Sequence, residues 1–183
     1  MTTFSSLLLA CAGALCLPGA QAAILTFDDL AGSGSMREYG GLSWTGWQHA
    51  DAQEAPYSPA SGNTRLFNIS NDNAFAAVTA FQFQGAHFAG YATVSFHMFL
   101  NGSLVAVSDS LTTNGSAAFL ASGYGGMVDR VSVMADLPQY FVMDNVMINS
   151  AAPVAVAEPA GLLLMAGGLG ALALLRRRPA RKN

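Results

Sequence analysis

The sequence predicts a single all-β domain over residues 23–150. Short apolar and β-branched runs recur there between clusters of Gly, Asn, Asp, Ser and Pro, and no helical period is sustained over ten residues. The third observation is Asn101-Gly102, a pair that takes positive φ readily and so closes a tight hairpin.

In chain order the expected strands begin with Ile24–Asp28, which runs from Ile-Leu into two turn-forming aspartates, and Leu42–Trp47, which follows Gly40-Gly41 and carries both tryptophans. Arg65–Ile69 lies between Ser61-Gly62-Asn63 and Ser70-Asn71-Asp72, and Ala76–Gln84 runs up to Gly85. Thr93–Leu100 and Leu104–Asp109 form the hairpin about Asn101-Gly102. In the first of these, Val94, Phe96, Met98 and Leu100 share a face that must be core, because side chains alternate along a strand. Ala117–Leu120, Val128–Met134 and Tyr140–Ile148 complete the set. About nine short strands in one domain predict a two-sheet β-sandwich of jelly-roll type.

The composition fits that domain once its ends are set apart. The 183 residues are 52% hydrophobic and 10% charged, and much of the apolar excess lies in Phe4–Ala20 and Ala160–Leu175. Between residues 23 and 150 stand ten acids and three arginines, a net charge of −7 with histidine neutral. A body this acidic lacks the cationic footprint that phosphate backbones require, so nucleic acid is excluded as an expected partner. Both cysteines, Cys11 and Cys16, fall in the first apolar segment, which leaves the domain without a disulfide.

That segment has the length of a secretory signal peptide, and Ala20-Gln21-Ala22 supplies small residues at the positions signal peptidase reads, so residues 1–22 are expected to be removed before Ala23. Leu8-Leu9-Ala10-Cys11 has the form of a lipobox but sits too early in the apolar run. At the other end, a linker of residues 151–156 leads to Ala157-Glu158-Pro159 and then to the apolar residues 160–175. A helix of that length spans roughly 24 Å, enough with its flanking residues to cross the hydrocarbon core of a bilayer. Arg176-Arg177-Arg178 follows, and the positive-inside rule keeps such a cluster cytoplasmic. The sequence thus predicts an exported domain anchored in the inner membrane.

A short Pro-containing motif, one apolar helix and an arginine cluster at the extreme C-terminus resemble the PEP-CTERM protein-sorting tail, here over residues 157–183. The resemblance implies recognition by an exosortase, a membrane transpeptidase that removes the helix and delivers the protein to the cell surface or extracellular matrix. Glu158 and Pro159 match the motif, whereas Ala157 stands where the family has proline. Phe27-Asp28-Asp29-Leu30, Gly41-Leu42-Ser43-Trp44 and Phe141-Val142-Met143-Asp144-Asn145-Val146 also resemble jelly-roll modules found in such proteins.

Few residues in the domain form a pattern that carries chemistry. His49, His87 and His97 lack metal-ligand spacing, and no Gly-x-Ser-x-Gly elbow or phosphate-binding glycine loop is present. Asp28 and Asp29 are adjacent, so on a strand they point to opposite faces and cannot pair across a sugar. If the first and last strands pair, Asp28 or Asp29 approaches Asp144, and those carboxylates are the candidate ligands for a structural calcium. Trp44 and Trp47 are the candidate stacking residues for a sugar, with at most one of them exposed at a spacing of three. Tyr57, Tyr91 and Tyr124 are candidates on loops. The expected function is that of a non-catalytic component of the surface or extracellular polysaccharide matrix. The alternatives are a carbohydrate-binding module with a defined glycan and a surface hydrolase.

Overall fold

The computed structural model describes residues 21–70 and 72–150, and every regular element among them is a β-strand. Residues 1–20 of the expected signal segment, the lipobox among them, and the sorting tail lie outside the described residues, while Gln21 and Ala22 of that segment fall in the first strand. No helix among the described residues is long and apolar enough to cross a membrane.

The strands are β1 (Gln21–Leu25), β2 (Ser33–Ser35), β3 (Glu38–Tyr39), β4 (Leu42–Thr45), β5 (Trp47–Asp51), β6 (Thr64–Asn68) and β7 (Asn73–Gly90). They continue with β8 (Thr93–Leu100), β9 (Ser103–Val107), β10 (Leu111–Thr112), β11 (Ala118–Ala121), β12 (Met127–Ala135) and β13 (Phe141–Ser150). All pairings are antiparallel, in the order β10-β8-β12-β7-β13-β6-β5-β2.

The 18-residue strand β7 joins the two layers by changing partners along its length. Its first part pairs with β4 and β12, and its last part with β11 and β13. Between them Val128 faces Phe81 while Arg130 faces Ala76, so residues 77–80 bulge outward against the single residue Asp129. A bulge of this kind bends the strand and re-aims the sheet that follows, and it leaves Val78 fully exposed at its tip.

The aromatic core lies between the layers. Phe83 of β7 packs edge-on against Phe96 of β8 with centroids 4.7 Å apart. Phe88 bridges Phe96 at 5.5 Å and Phe141 at 5.8 Å. Of the predicted inward face of β8, Val94, Phe96 and Met98 are inaccessible to solvent, while Leu100, past the register shift at Met98 and Phe99, is only half-buried. Its hairpin turns as expected, with φ of 52° at Asn101 and 75° at Gly102.

Three boundaries differ from expectation for local reasons. Leu42–Trp47 is two strands because Gly46 takes φ of 78° between them and its carbonyl accepts from Ile69 N (2.9 Å). The first strand stops at Leu25, two residues before Phe27, which adopts φ of 61° and caps a tight turn through Leu30 N to Phe27 O (3.0 Å). The strand expected over residues 76–84 extends to 73–90, because β4 and β12 pair with it ahead of the bulge and β11 and β13 pair with it past Gly85. First and last strands do pair, Gln21 against Ser150 and Leu25 against Val146.

Candidate functional site

The outer face of β5, β6 and β13 carries a cleft of about 290 Å³. Thr64, Leu66 and Asn68 point inward, so strand alternation turns Arg65 and Phe67 outward. Phe67 lies opposite Gln48 on one side and Val142 on the other, and Arg65 lies opposite Ala50. Ala50, Phe67 and Val142 make an apolar floor, with Tyr57, Arg65 and Gln139 standing around it. A second hollow of about 250 Å³, lined by Asn68, Ile69 and Ser70, shares Gln139 and extends the groove.

The wall that carries Tyr57 is the loop of residues 52–63. Ala52 N donates to Asn63 O at 3.0 Å and Gln53 Nε2 to Gly62 O at 2.5 Å, which closes the loop's two ends on each other. Arg65 then secures the middle of the loop. Its Nη1 donates to Tyr57 O (2.5 Å) and Glu54 O (3.3 Å), and its Nη2 lies 3.8 Å from the exposed Glu54 carboxylate. The solvent-exposed Glu54 adds little to this, whereas the two carbonyl contacts fix where the loop turns.

Two exposed tyrosines flank the end of the cleft. Tyr91 is 55% and Tyr140 51% exposed, and Tyr91 N donates to Tyr140 O at 2.7 Å. Both approach Gly90, whose φ of 122° suits glycine alone. A Cβ there would stand 2.2 Å from Tyr140 O and 3.0 Å from the Tyr57 ring. Gly115, which donates its N–H to Gly90 O (2.8 Å), lies against the Tyr91 hydroxyl and Pro56. The result is a shallow groove with flat rings, one guanidinium and one carboxamide, and no carboxylate, histidine or serine lines its main pocket.

The tryptophans expected to stack on a ligand do not reach it. Trp44 is 4% and Trp47 1% exposed. Trp44 donates its indole N–H to Tyr39 O (3.0 Å) and packs against Phe27 and Phe75, while Trp47 meets Phe141 edge-on. The expectation of opposite faces assumed one continuous strand. The turn at Gly46 resets the alternation, so both indoles enter the core. Tyr57 lines the groove, Tyr91 lies beside it through its backbone bond to Tyr140, and Tyr124 packs partly buried against the core.

The calcium cage expected from Asp28, Asp29 and Asp144 is not assembled. Among the described residues no three His, Cys, Asp or Glu side chains gather closely enough to share a metal. Asp29 accepts from the Tyr39 hydroxyl (2.5 Å), and Asp28 accepts from Asn63 N (3.1 Å). Asp144 is 2% exposed and accepts from Ala60 N (2.8 Å), Ser61 N (2.9 Å) and its neighbour Asn145 N (2.7 Å). Three of the lone pairs on Asp144 are thus engaged by backbone amides. Burial pushes the Asp144 carboxyl up to about 6, against the three amide bonds that favour its charge, and the neighbouring Asp28 raises it further.

The histidines are dispersed, as their spacing implied. His49 lies beneath Gly34, His87 packs 5.0 Å from Phe119 with burial lowering its pKa, and His97 is on the outer face of β8. Ala22 and Ala23, at the expected signal cleavage, lie in β1 opposite Asn149 and Ile148, whereas Ala20, Ala157, Glu158, Pro159 and Arg176–Arg178 lie outside the described residues.

Sequence reasoning missed Arg65, Phe67, Gln139 and Tyr140. The available signal was the strand Thr64–Asn68 itself, in which one arginine and one phenylalanine alternate with buried residues and so share the outer face.

No family model and no curated protein matches the chain. Among solved structures it is similar to variants of CBM29-2, a family 29 carbohydrate-binding module, at 9–10% identity and a TM-score of 0.42, with about 73% of this chain and 92–94% of the module covered. It is also similar to the carbohydrate-binding module CBM6cm-2 from Cellvibrio mixtus lichenase 5A in complex with cellotriose, at 11% identity and a TM-score of 0.32, covering 71% of this chain and 98% of that one. The described chain is all-β like these modules, and scores this low relate no residue of the groove to their binding surfaces.

Proposed function

We propose that this protein is an exported, non-catalytic module that binds a saccharide chain in the groove between Tyr57 and Ile69. The observation that carries this reading is the combination lining the groove: an apolar floor of Phe67 and Val142, tyrosines at its wall and end, and Arg65 and Gln139 as hydrogen-bonding groups. Aromatic rings cover the apolar face of a sugar, while a small number of placed polar groups read its hydroxyls. The strongly acidic body favours a neutral polymer over a polyanion. Glycoside hydrolysis needs two carboxyl groups facing the scissile bond, and the main pocket offers none.

The address of the protein is part of the proposal and rests on the sequence of its ends: a signal peptide of residues 1–22 and an exosortase-type tail of residues 157–183 that deliver the module to the surface or matrix.

The test is a polysaccharide array, followed by affinity electrophoresis on the glycans that bind. Tyr57→Ala and Phe67→Ala are expected to weaken binding about tenfold each, the cost of a central aromatic contact of roughly 1–2 kcal/mol. Trp44→Phe, a change in the core, is expected to leave binding within twofold. A silent array, or binding that survives loss of both Tyr57 and Phe67, defeats the proposal.

A further inference from the structure

Two asparagines of the domain stand in the same triplet, Asn-Gly-Ser: Asn101-Gly102-Ser103 and Asn114-Gly115-Ser116. In such a pair the glycine nitrogen lies next to the asparagine carboxamide carbon, and glycine has no Cβ to screen the approach. The local chemistry of the two triplets is alike. What differs is how the fold holds each glycine nitrogen, which must lose its proton before it attacks.

Asn101 and Gly102 are the tip of the β8–β9 hairpin, with φ of 52° and 75°, and both are exposed. Asn101 N donates to Asp129 Oδ2 at 2.6 Å, whereas Gly102 N and the Asn101 carboxamide have no partner among the described residues. Nothing lies within 4 Å of the position a Gly102 Cβ would take. The tip projects into water, so bringing Gly102 N onto Asn101 Cγ displaces no neighbouring side chain.

The second triplet is fastened on both sides of its asparagine. Gly115 N donates to Gly90 O at 2.8 Å, and a Cβ on Gly115 would meet the Tyr91 hydroxyl at 3.2 Å and Pro56 Cβ at 3.4 Å. Thr113 is buried, its N donates to Ala92 O at 2.9 Å, and its Oγ1 accepts from Ala92 N at 2.9 Å. Attack by Gly115 N requires its bond to Gly90 to break and the segment to leave β7.

We propose that Asn101 is a hydrolytic modification site, converted to aspartate and isoaspartate, while the fold protects Asn114. Gly102 N gives up its proton and bonds to Asn101 Cγ, the Cγ–Nδ2 bond breaks, and that proton leaves with Nδ2 as ammonia. Water then opens the resulting cyclic imide at either carbonyl. The sum is asparagine and water to aspartate or isoaspartate and ammonia, with no change of oxidation state. Opening at the α-carbonyl leaves the main chain running through Cβ, longer by one atom, and sets a new carboxylate beside Asp129. Leu100 and Ser103 then no longer meet across a two-residue turn, and β9, which pairs with β8 alone, is the strand set loose.

The identical triplets make each site the other's control. The full chain is kept at mildly alkaline pH, folded in detergent solution or unfolded in guanidinium chloride, and peptides that hold Asn101 or Asn114 are followed by mass spectrometry, each conversion adding nearly one dalton. In the folded chain Asn101 is expected to convert at least about tenfold faster than Asn114, the factor that about 1.4 kcal/mol of protection at Gly115 N corresponds to. In the denaturant the two rates should agree. Gly102→Ala should slow conversion of Asn101 and leave Asn114 unchanged. In the converted chain amide exchange at Leu104 and Ala106 should quicken, with no change at Val131 in the core. Equal rates in the folded chain, faster conversion at Asn114, an Asn101 that stays intact when folded, or a difference that persists in denaturant overturns the proposal.

Discussion

Replacing Gly90 with alanine tests whether the end of the groove is built on a backbone position that excludes a side chain. Gly90 holds φ of 122°, and its missing Cβ would lie 2.2 Å from Tyr140 O and 2.9 Å from Phe141 Cα. Both are backbone atoms, so no rotamer change relieves the clash. The conformation alone costs an alanine about 1–3 kcal/mol. Pushing the two strands apart also weakens the bond from Tyr91 N to Tyr140 O and the pairing of Gly90 with Phe141, at about 1 kcal/mol for each hydrogen bond. The expected loss is about 3–5 kcal/mol. Gly102→Ala is the control, since Gly102 also has positive φ, at 75°, but nothing lies within 4 Å of its Cβ position. That change is expected to cost about 1 kcal/mol. Urea unfolding with a slope of about 2 kcal/mol per molar should then show a midpoint fall of roughly 2 M for Gly90→Ala and about 0.5 M for Gly102→Ala. Equal shifts in the two variants refute the reasoning, because the contribution of the clash would then be absent.

Two further outcomes are expected. Tyr39 should give a late transition in an ultraviolet titration. Burial first, then its bond to Asp29, pushes its phenol up to about 12. Because that value lies above the ordinary 10, the associated stability is present below pH 10 and is lost as pH rises through 12. Asp29→Asn should bring the late transition down, and a titration curve with no transition near pH 12 refutes the assignment. Intact-mass analysis of protein from each cell fraction should find Ala23 as the mature N-terminus and a surface form without Arg176–Arg178. A surface form that retains the arginines removes the sorting proposal.

The features legible in the sequence were those set by local chemistry. The β8–β9 hairpin follows from alternation along Thr93–Leu100 and from an Asn-Gly pair whose positive φ angles no β-branched residue would tolerate. The position of the tryptophans was not legible, because one glycine conformation at residue 46 decides the phase of everything after it, and a period-two reading carries no information about where the count restarts. Asp144 shows the same limit from another side. The sequence placed it near Asp28 through the pairing of first and last strands, and that pairing exists. What it could not show is that residues 60 and 61, more than eighty positions earlier, would present their amides first. The groove was hidden for a similar reason, since Arg65 and Phe67 become a surface only once the loop of residues 52–63 folds back beside them.

The pairing of Ala23 with Ile148 brings the first and last strands of the folded unit out side by side. β13 is a ten-residue strand that begins with Phe141 at the groove and ends at Ser150, a run of at most roughly 30 Å at the rise of a strand. Neighbouring first and last strands put both chain connections at one edge of the sheet, the arrangement that tolerates insertion of a domain into a host loop.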